Sequence, residues 1–197
     1  MHYYFKKYPF LHYEYTDFDG RYVMFSVPPE MLVSDFMKRF GTIPKTFFDC
    51  GAANGEIVYR AEKLGLSAQG IDIREYPYVN PKLVELFQDN KIEIMSILDY
   101  PQVRSDLVFC NGTLTYFTEQ ELPKVLNKFV NCKMLVSIHN TTEDVDAARK
   151  QGDELLTCNK LRLIKPRDWW AKTFTKNGFN TEYNKQTQCF YSIPKTR

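Results

Sequence analysis

The sequence predicts an α/β chain: a doubly wound, seven-stranded, mostly parallel sheet ending in an antiparallel strand pair, with an N-terminal hairpin and helix in front. Three observations carry this. From Thr46 to Ile138 short apolar runs alternate with helix-period segments, the pattern of parallel strands joined by crossovers. The first of those runs ends in a turn of small residues, Gly51-Ala52-Ala53-Asn54-Gly55, and the second closes on Asp72. After Gly178 two strand-like runs, Phe179–Tyr183 and Gln188–Ile193, flank Asn184-Lys185.

Each element has its own signal. Leu11 to Val27 alternates aromatic and polar residues around Asp19-Gly20, a dipeptide suited to a tight hairpin turn. Pro28-Pro29 opens a helix whose Leu32, Val33, Phe36, Met37 and Phe40 share one face, and Gly41 ends it. Strand Thr46–Cys50 leads through the small-residue turn into a helix over Glu56–Leu64, stopped by Gly65. Ala68–Ile73 is the next strand, Pro81–Asp89 a helix and Ile92–Met95 a strand. Asp106–Cys110 is a continuous apolar run, as expected in the middle of a parallel sheet. Thr118-x-x-Glu121 is a capping box before a helix with Leu122, Val125, Leu126, Phe129 and Val130 on one side. Met134–Ile138 is the fifth strand of the alternation, the polar stretch Asn140–Lys160 has room for one short helix, and Pro166–Lys176 is a helix ending before Gly178.

Composition narrows the class. A chain of 197 residues buries a sizeable core as one domain, without metal or disulfides. The net charge of +2, with no dense Lys/Arg block, gives no electrostatic case for a nucleic-acid partner, though none is excluded. Five widely spaced cysteines without a C-x-x-C pair fit reduced thiols and a cytoplasmic protein. No metal-ligand cluster, signal peptide or membrane-length apolar run is expected.

In a doubly wound sheet ligands sit beyond the carboxyl ends of the strands, where strand order reverses. That edge gathers the residues after Cys50, Asp72, Met95, Cys110 and Ile138. Small residues are needed where a backbone comes into contact with a ligand. A dinucleotide turn wants G-x-G-x-x-G, but counting from Gly51 the third glycine position is Glu56, so a nicotinamide oxidoreductase is disfavoured. Asp49, a carboxyl in an apolar strand end, needs a partner.

Asp49-Cys50-Gly51-Ala52-Ala53-Asn54-Gly55 resembles motif I of class I S-adenosylmethionine-dependent methyltransferases, with Ala53 at the usual second glycine. Gly70-Ile71-Asp72-Ile73 is similar to that family's second-strand motif, and Asp106 to Leu114 to its fourth-strand motif. Trp169, Trp170, Gly178 and Phe179 resemble its last helix and the start of its strand pair, so the match runs over roughly 44–194.

The resemblance implies a Rossmann-like methyltransferase domain over 44–197, preceded by an extension over 1–43 that serves as a lid or a substrate-docking surface. It implies S-adenosyl-L-methionine as cofactor and in-line methyl transfer to a nucleophile. Asp49 with Gly51, Ala52, Ala53 and Gly55 would hold the amino-acid end, Asp72 both ribose hydroxyls, and Ile73 the adenine face. At the third-strand end, where the family usually offers an Asp to adenine, this chain has Ser96 and Ile97, with Asp99 close by. Asn111 would lie beside the methionine portion.

The family supplies no universal base, because a sulfonium is already activated. His139, at the end of the fifth strand, is the candidate general base, its ordinary pKa lying near working pH; a structural histidine is the alternative. Tyr116 is a second lining candidate, with packing as its alternative. The run Asn111-Gly112-Thr113-Leu114 replaces the Asp/Asn-Pro-Pro-Tyr of amino-methylating DNA enzymes, and no Pro-Cys pair is present. These departures disfavour the two DNA-modifying classes, and the first expectation for the acceptor is a small molecule. RNA or protein methylation, with the Tyr-rich N-terminus as a stacking surface, and a non-catalytic cofactor-binding module are the alternatives.

Overall fold

Successive side chains on a strand take opposite faces, so runs apolar at nearly every position, such as Leu107–Cys110 and Met134–Val136, give the sheet two buried faces, and the helices fall where those faces need cover. The computed structural model describes residues 13–16, 23–53, 55–73, 89, 91–139, 141–150 and 163–195. The expected turn at Asp19-Gly20 lies outside these residues, as does the expected helix Pro81–Asp89 apart from Asp89 itself.

In chain order the elements are β1 (Tyr13–Thr16), β2 (Val23–Ser26), α1 (Pro29–Phe40), β3 (Thr46–Cys50), α2 (Glu56–Lys63), β4 (Ser67–Asp72) and β5 (Ile92–Ile94). There follow β6 (Leu107–Asn111), a 3-10 turn (Thr113–Tyr116), α3 (Leu122–Asn127), β7 (Met134–Ile138), α4 (Thr142–Arg149), α5 (Arg167–Lys176), β8 (Phe179–Asn184) and β9 (Cys189–Pro194). β1 and β2 form a separate antiparallel pair. The other seven strands make one sheet in the order β5-β4-β3-β6-β7-β9-β8. Pairing is parallel from β5 to β7, and β9 runs antiparallel to both β7 and β8. Strand order reverses between β3 and β6, which brings Cys50 and Asn111 to the same edge.

Neighbouring residues on a strand take opposite faces. Phe47, Leu107, Phe109, Met134 and Val136 pack with Leu32 and Phe36 of α1 and Val58 and Ala61 of α2. Phe48, Val108, Cys110 and Leu135 pack with Leu122, Val125 and Leu126 of α3 and with Trp170 and Phe174 of α5. Each fully buried side chain of this size contributes roughly 1.5–3 kcal/mol. α1 is therefore part of the core. It is further fastened by the Tyr191 hydroxyl, which donates to Asp35 Oδ2 at 2.6 Å, and by Arg39, which lies over the Tyr191 ring and pairs with Glu182. A boundary at residue 43 thus cuts through one packed unit, because burial of Leu32 and Phe36 ties this helix to the sheet.

The capping box forms as expected: the Thr118 amide donates to Glu121 Oε2 and the Glu121 amide to Thr118 Oγ1. A second box, Thr141-x-x-Asp144, starts α4 in the same way and was legible by the same rule. Gly70 in β4 is a packing requirement. A Cβ there would lie 2.7 Å from Ala52 Cβ and 2.9 Å from Val58 Cγ2, so strand, turn and helix close only over a bare Cα. Gly70→Ala is expected to lower stability by about 1–3 kcal/mol, read as a lower urea midpoint.

Candidate functional site

The turn after β3 is shaped by its own hydrogen bonds. The Gly51 and Ala52 amides both donate to the Ile71 carbonyl, at 2.8 and 2.9 Å, and the Gly55 amide donates to Ala52 O at 2.8 Å. Gly51 and Gly55 hold φ of 86° and 83°, and Ala53 holds 50°, a conformation that costs a side-chain-bearing residue energy. The Ala53 amide donates to Asp72 Oδ2 at 2.9 Å, so the turn and the strand-end carboxylate form one assembly. Among the turn residues the sequence singled out, Gly51, Ala52, Ala53 and Gly55 are all brought together here.

Two carboxyls stand beneath and beside this turn. Asp49 is 2 % exposed and Asp72 8 %. Burial pushes the Asp49 pKa up to about 8, and the nearby negative charge of Asp72 pushes in the same direction. Near neutral pH Asp49 is thus largely protonated, while Asp72 holds its place as an acceptor for the turn.

Ile73, directly after Asp72, is 75 % exposed, an apolar side chain left uncovered beside the carboxylate. The neighbouring strand end follows at once, since the Met95 amide donates to Asp72 O at 2.8 Å. Ser96 is half-buried; its hydroxyl accepts from the Leu98 amide and its carbonyl from Asp99 and Tyr100, so its side chain shapes the turn after β5. Ile97 is buried in the core with Phe48, Cys50 and Ile71. Asn111 is buried at the end of β6, and Tyr116, the last residue of the 3-10 turn, is 53 % exposed.

His139 requires a correction. Of its two expected readings, a general base facing the substrate side or a structural histidine, the geometry fits the second, for it is 2 % exposed. Its ring stacks on Trp170 with centroids 3.9 Å apart and packs against Phe174 and Phe190. Nε2 is 3.0 Å from Ser137 Oγ, and Nδ1 is buried without a hydrogen-bond partner. Burial holds its pKa down to about 3. Its cover is tertiary: the indole comes from α5, far along the chain.

A histidine kept neutral in the fold but free to protonate at about 6.5 when unfolded makes the unfolded state the greater proton binder between those values. Its contribution to stability is present above pH 6.5 and falls as pH drops toward 3. Urea midpoints of His139→Phe are expected to fall less between pH 7 and pH 5 than those of the wild type, by roughly 1–2 kcal/mol of stability.

Among the described residues no group of three or more His, Cys, Asp or Glu side chains is arranged to hold a metal, and no helix is long and apolar enough to cross a membrane. Cys50, Cys110, Cys132 and Cys189 are free and buried.

No protein-family model matches the chain, and no curated protein matches it in sequence. Solved structures do. The plantazolicin methyltransferase BpumL, solved with a monoazolic desmethylPZN analog and SAH, superposes with a TM-score of 0.63 at 10 % identity, over 85 % of this chain and 82 % of that one. Magnesium protoporphyrin IX methyltransferase (ChlM) from Synechocystis PCC 6803, solved with bound SAH, gives 0.58 at 14 % identity, over 84 % and 82 %. A small RNA methyltransferase gives 0.60 at 13 %, over 86 % of this chain and 25 % of that one. Strand order, crossover pattern and these superpositions agree: the chain has the class I S-adenosylmethionine-dependent methyltransferase fold.

Proposed function

We propose that this chain is an S-adenosylmethionine-dependent methyltransferase that transfers a methyl group to a small-molecule nucleophile by in-line displacement. The observation that carries the reading is the Ala53 amide on Asp72 Oδ2, with exposed Ile73 next in sequence. That arrangement offers a turn free of large side chains, a carboxylate for a diol and an apolar face for a base, in that order along the sheet edge. Two of the structural neighbours reported above were solved with SAH, which supports the same cofactor here.

When bound, the sulfonium supplies a methyl group that is already activated. The chain's own residues then have three tasks. Asp49 and the turn Gly51, Ala52, Ala53 and Gly55 hold the amino-acid end, and Asp72 holds the ribose. Ile73 covers the adenine face, with the turn at Ser96 at its edge and Ile97 supporting that turn from the core, and Asn111 lies near the methionine portion. Alignment and exclusion of water provide the rate enhancement. His139, buried and neutral, keeps α5 packed on β7 and is left out of the proton transfer. The strands β1 and β2 are the lid or docking piece, in front of a domain that includes α1.

Calorimetry with S-adenosylhomocysteine tests this, and saturable one-to-one binding is expected. Absence of binding at millimolar ligand would sink the reading. Turnover measured on small-molecule, RNA and peptide panels then decides the acceptor, with transfer expected to the small molecules.

A further inference from the structure

We propose that Thr113 is a positioning residue: its hydroxyl locks the cofactor turn to the β6 side of the site and thereby sets cofactor affinity. The inference rests on the methyltransferase reading above and adds a residue to it.

Thr113 opens the 3-10 turn after β6, and its Oγ1 donates to the Cys50 carbonyl at 2.7 Å. That carbonyl belongs to the peptide joining Cys50 to Gly51, so whatever holds it fixes the plane from which the turn departs. The fit is reciprocal. A Cβ on Gly51 would lie 2.0 Å from Thr113 Oγ1, so the hydroxyl occupies the space that the missing side chain leaves. Gly51 thus serves two ends, its φ of 86° and the seat of this hydroxyl.

Thr113 is itself well anchored. The Gly112 amide donates to Ile138 O at 3.0 Å, and the Thr115 hydroxyl donates back to Gly112 O. The Leu163 amide donates to Thr115 O at 2.9 Å, and Lys165, two residues on, bridges to Thr141 after β7. One hydroxyl therefore joins the turn of residues 51–55 to a frame that spans the ends of β6 and β7. Within this site it acts through the Cys50–Gly51 peptide, so its effect is on geometry. Removing it leaves the Gly51 cradle without its stop while the strands themselves keep their ladders.

The test compares S-adenosylhomocysteine affinity, by calorimetry, in wild type, Thr113→Val, Thr113→Ser and Thr181→Val. Valine keeps the shape and loses the donor, and serine keeps the donor. Thr181 is a control, since its hydroxyl bonds Ser192 Oγ at 2.9 Å between β8 and β9, at the other end of the sheet. Thr113→Val is expected to weaken binding about tenfold, the equivalent of one hydrogen bond, with Thr113→Ser and Thr181→Val within about twofold of wild type. A valine variant that binds like wild type overturns the inference alone. So does a serine variant that fails to restore affinity, or a control that loses as much as Thr113→Val. A wild-type protein that does not bind overturns the underlying reading as well.

Discussion

Asp72→Ala is expected to weaken S-adenosylhomocysteine binding by roughly two orders of magnitude or more, with the sheet intact. A carboxylate has two oxygens, and a ribose diol offers two donors; hydrogen bonds to a charged acceptor are each worth about 1.5–3 kcal/mol. Asp72 Oδ2 already accepts from the Ala53 amide, so the alanine variant also leaves that turn donor without its acceptor. Asp72→Asn separates the two effects, because an amide oxygen still receives the Ala53 donor while the charge is gone. Both variants are expected to lose affinity, and the asparagine variant to retain the wild-type urea midpoint more closely. Equal affinity in wild type and both variants would remove Asp72 from the site.

The local structure behind that prediction follows from local pattern. Asp72 ends a strand whose apolar pattern is local, and the small residues Gly51, Ala53 and Gly55 fit the positive φ that the turn demands of them. The alternation of Phe47 and Phe48 onto opposite faces is likewise set by strand geometry, and so is the helix face of Leu32 and Phe36. What escaped was decided by contacts between distant segments. His139 is removed from solvent by Trp170, and no local pattern around residue 139 announces an indole arriving from α5. Helix α1 packs on partners, Phe47 and Tyr191, that lie in strands remote from one another in sequence. The Thr113 hydroxyl reaches a carbonyl 63 positions earlier, a contact that no local pattern announces. At Gly70 the lack of a side chain lets Ala52 and Val58 close on β4, a requirement set by residues outside the strand.

The second large effect concerns protons. With its pKa pushed up to about 8 by burial and by Asp72, Asp49 carries a proton in most molecules at pH 7. A bound ammonium beside it favours the anion, so cofactor binding is expected to expel that proton. Calorimetry at pH 7 in buffers of different ionisation enthalpy should report close to one proton released per ligand bound, and close to none for Asp49→Asn. The neutral variant is also expected to bind more weakly, having lost the charge. Stability moves the opposite way. A carboxyl whose folded pKa exceeds its unfolded value near 3.8 stabilises fully below the latter, and that contribution is lost as pH rises toward 8. Asp49→Asn should therefore be as stable as wild type in acid and more stable at pH 8–9. His139 works against Asp49 in the lower window, because its contribution is lost as pH falls below 6.5 toward 3. Between about pH 4 and 6.5 the two slopes oppose each other, and from 6.5 to 8 only that of Asp49 remains. Burying Asp49 under the turn thus weakens the free fold at the pH where its charge is most useful to a cationic ligand. A proton count unchanged by Asp49→Asn would show that this carboxyl does not face the ammonium.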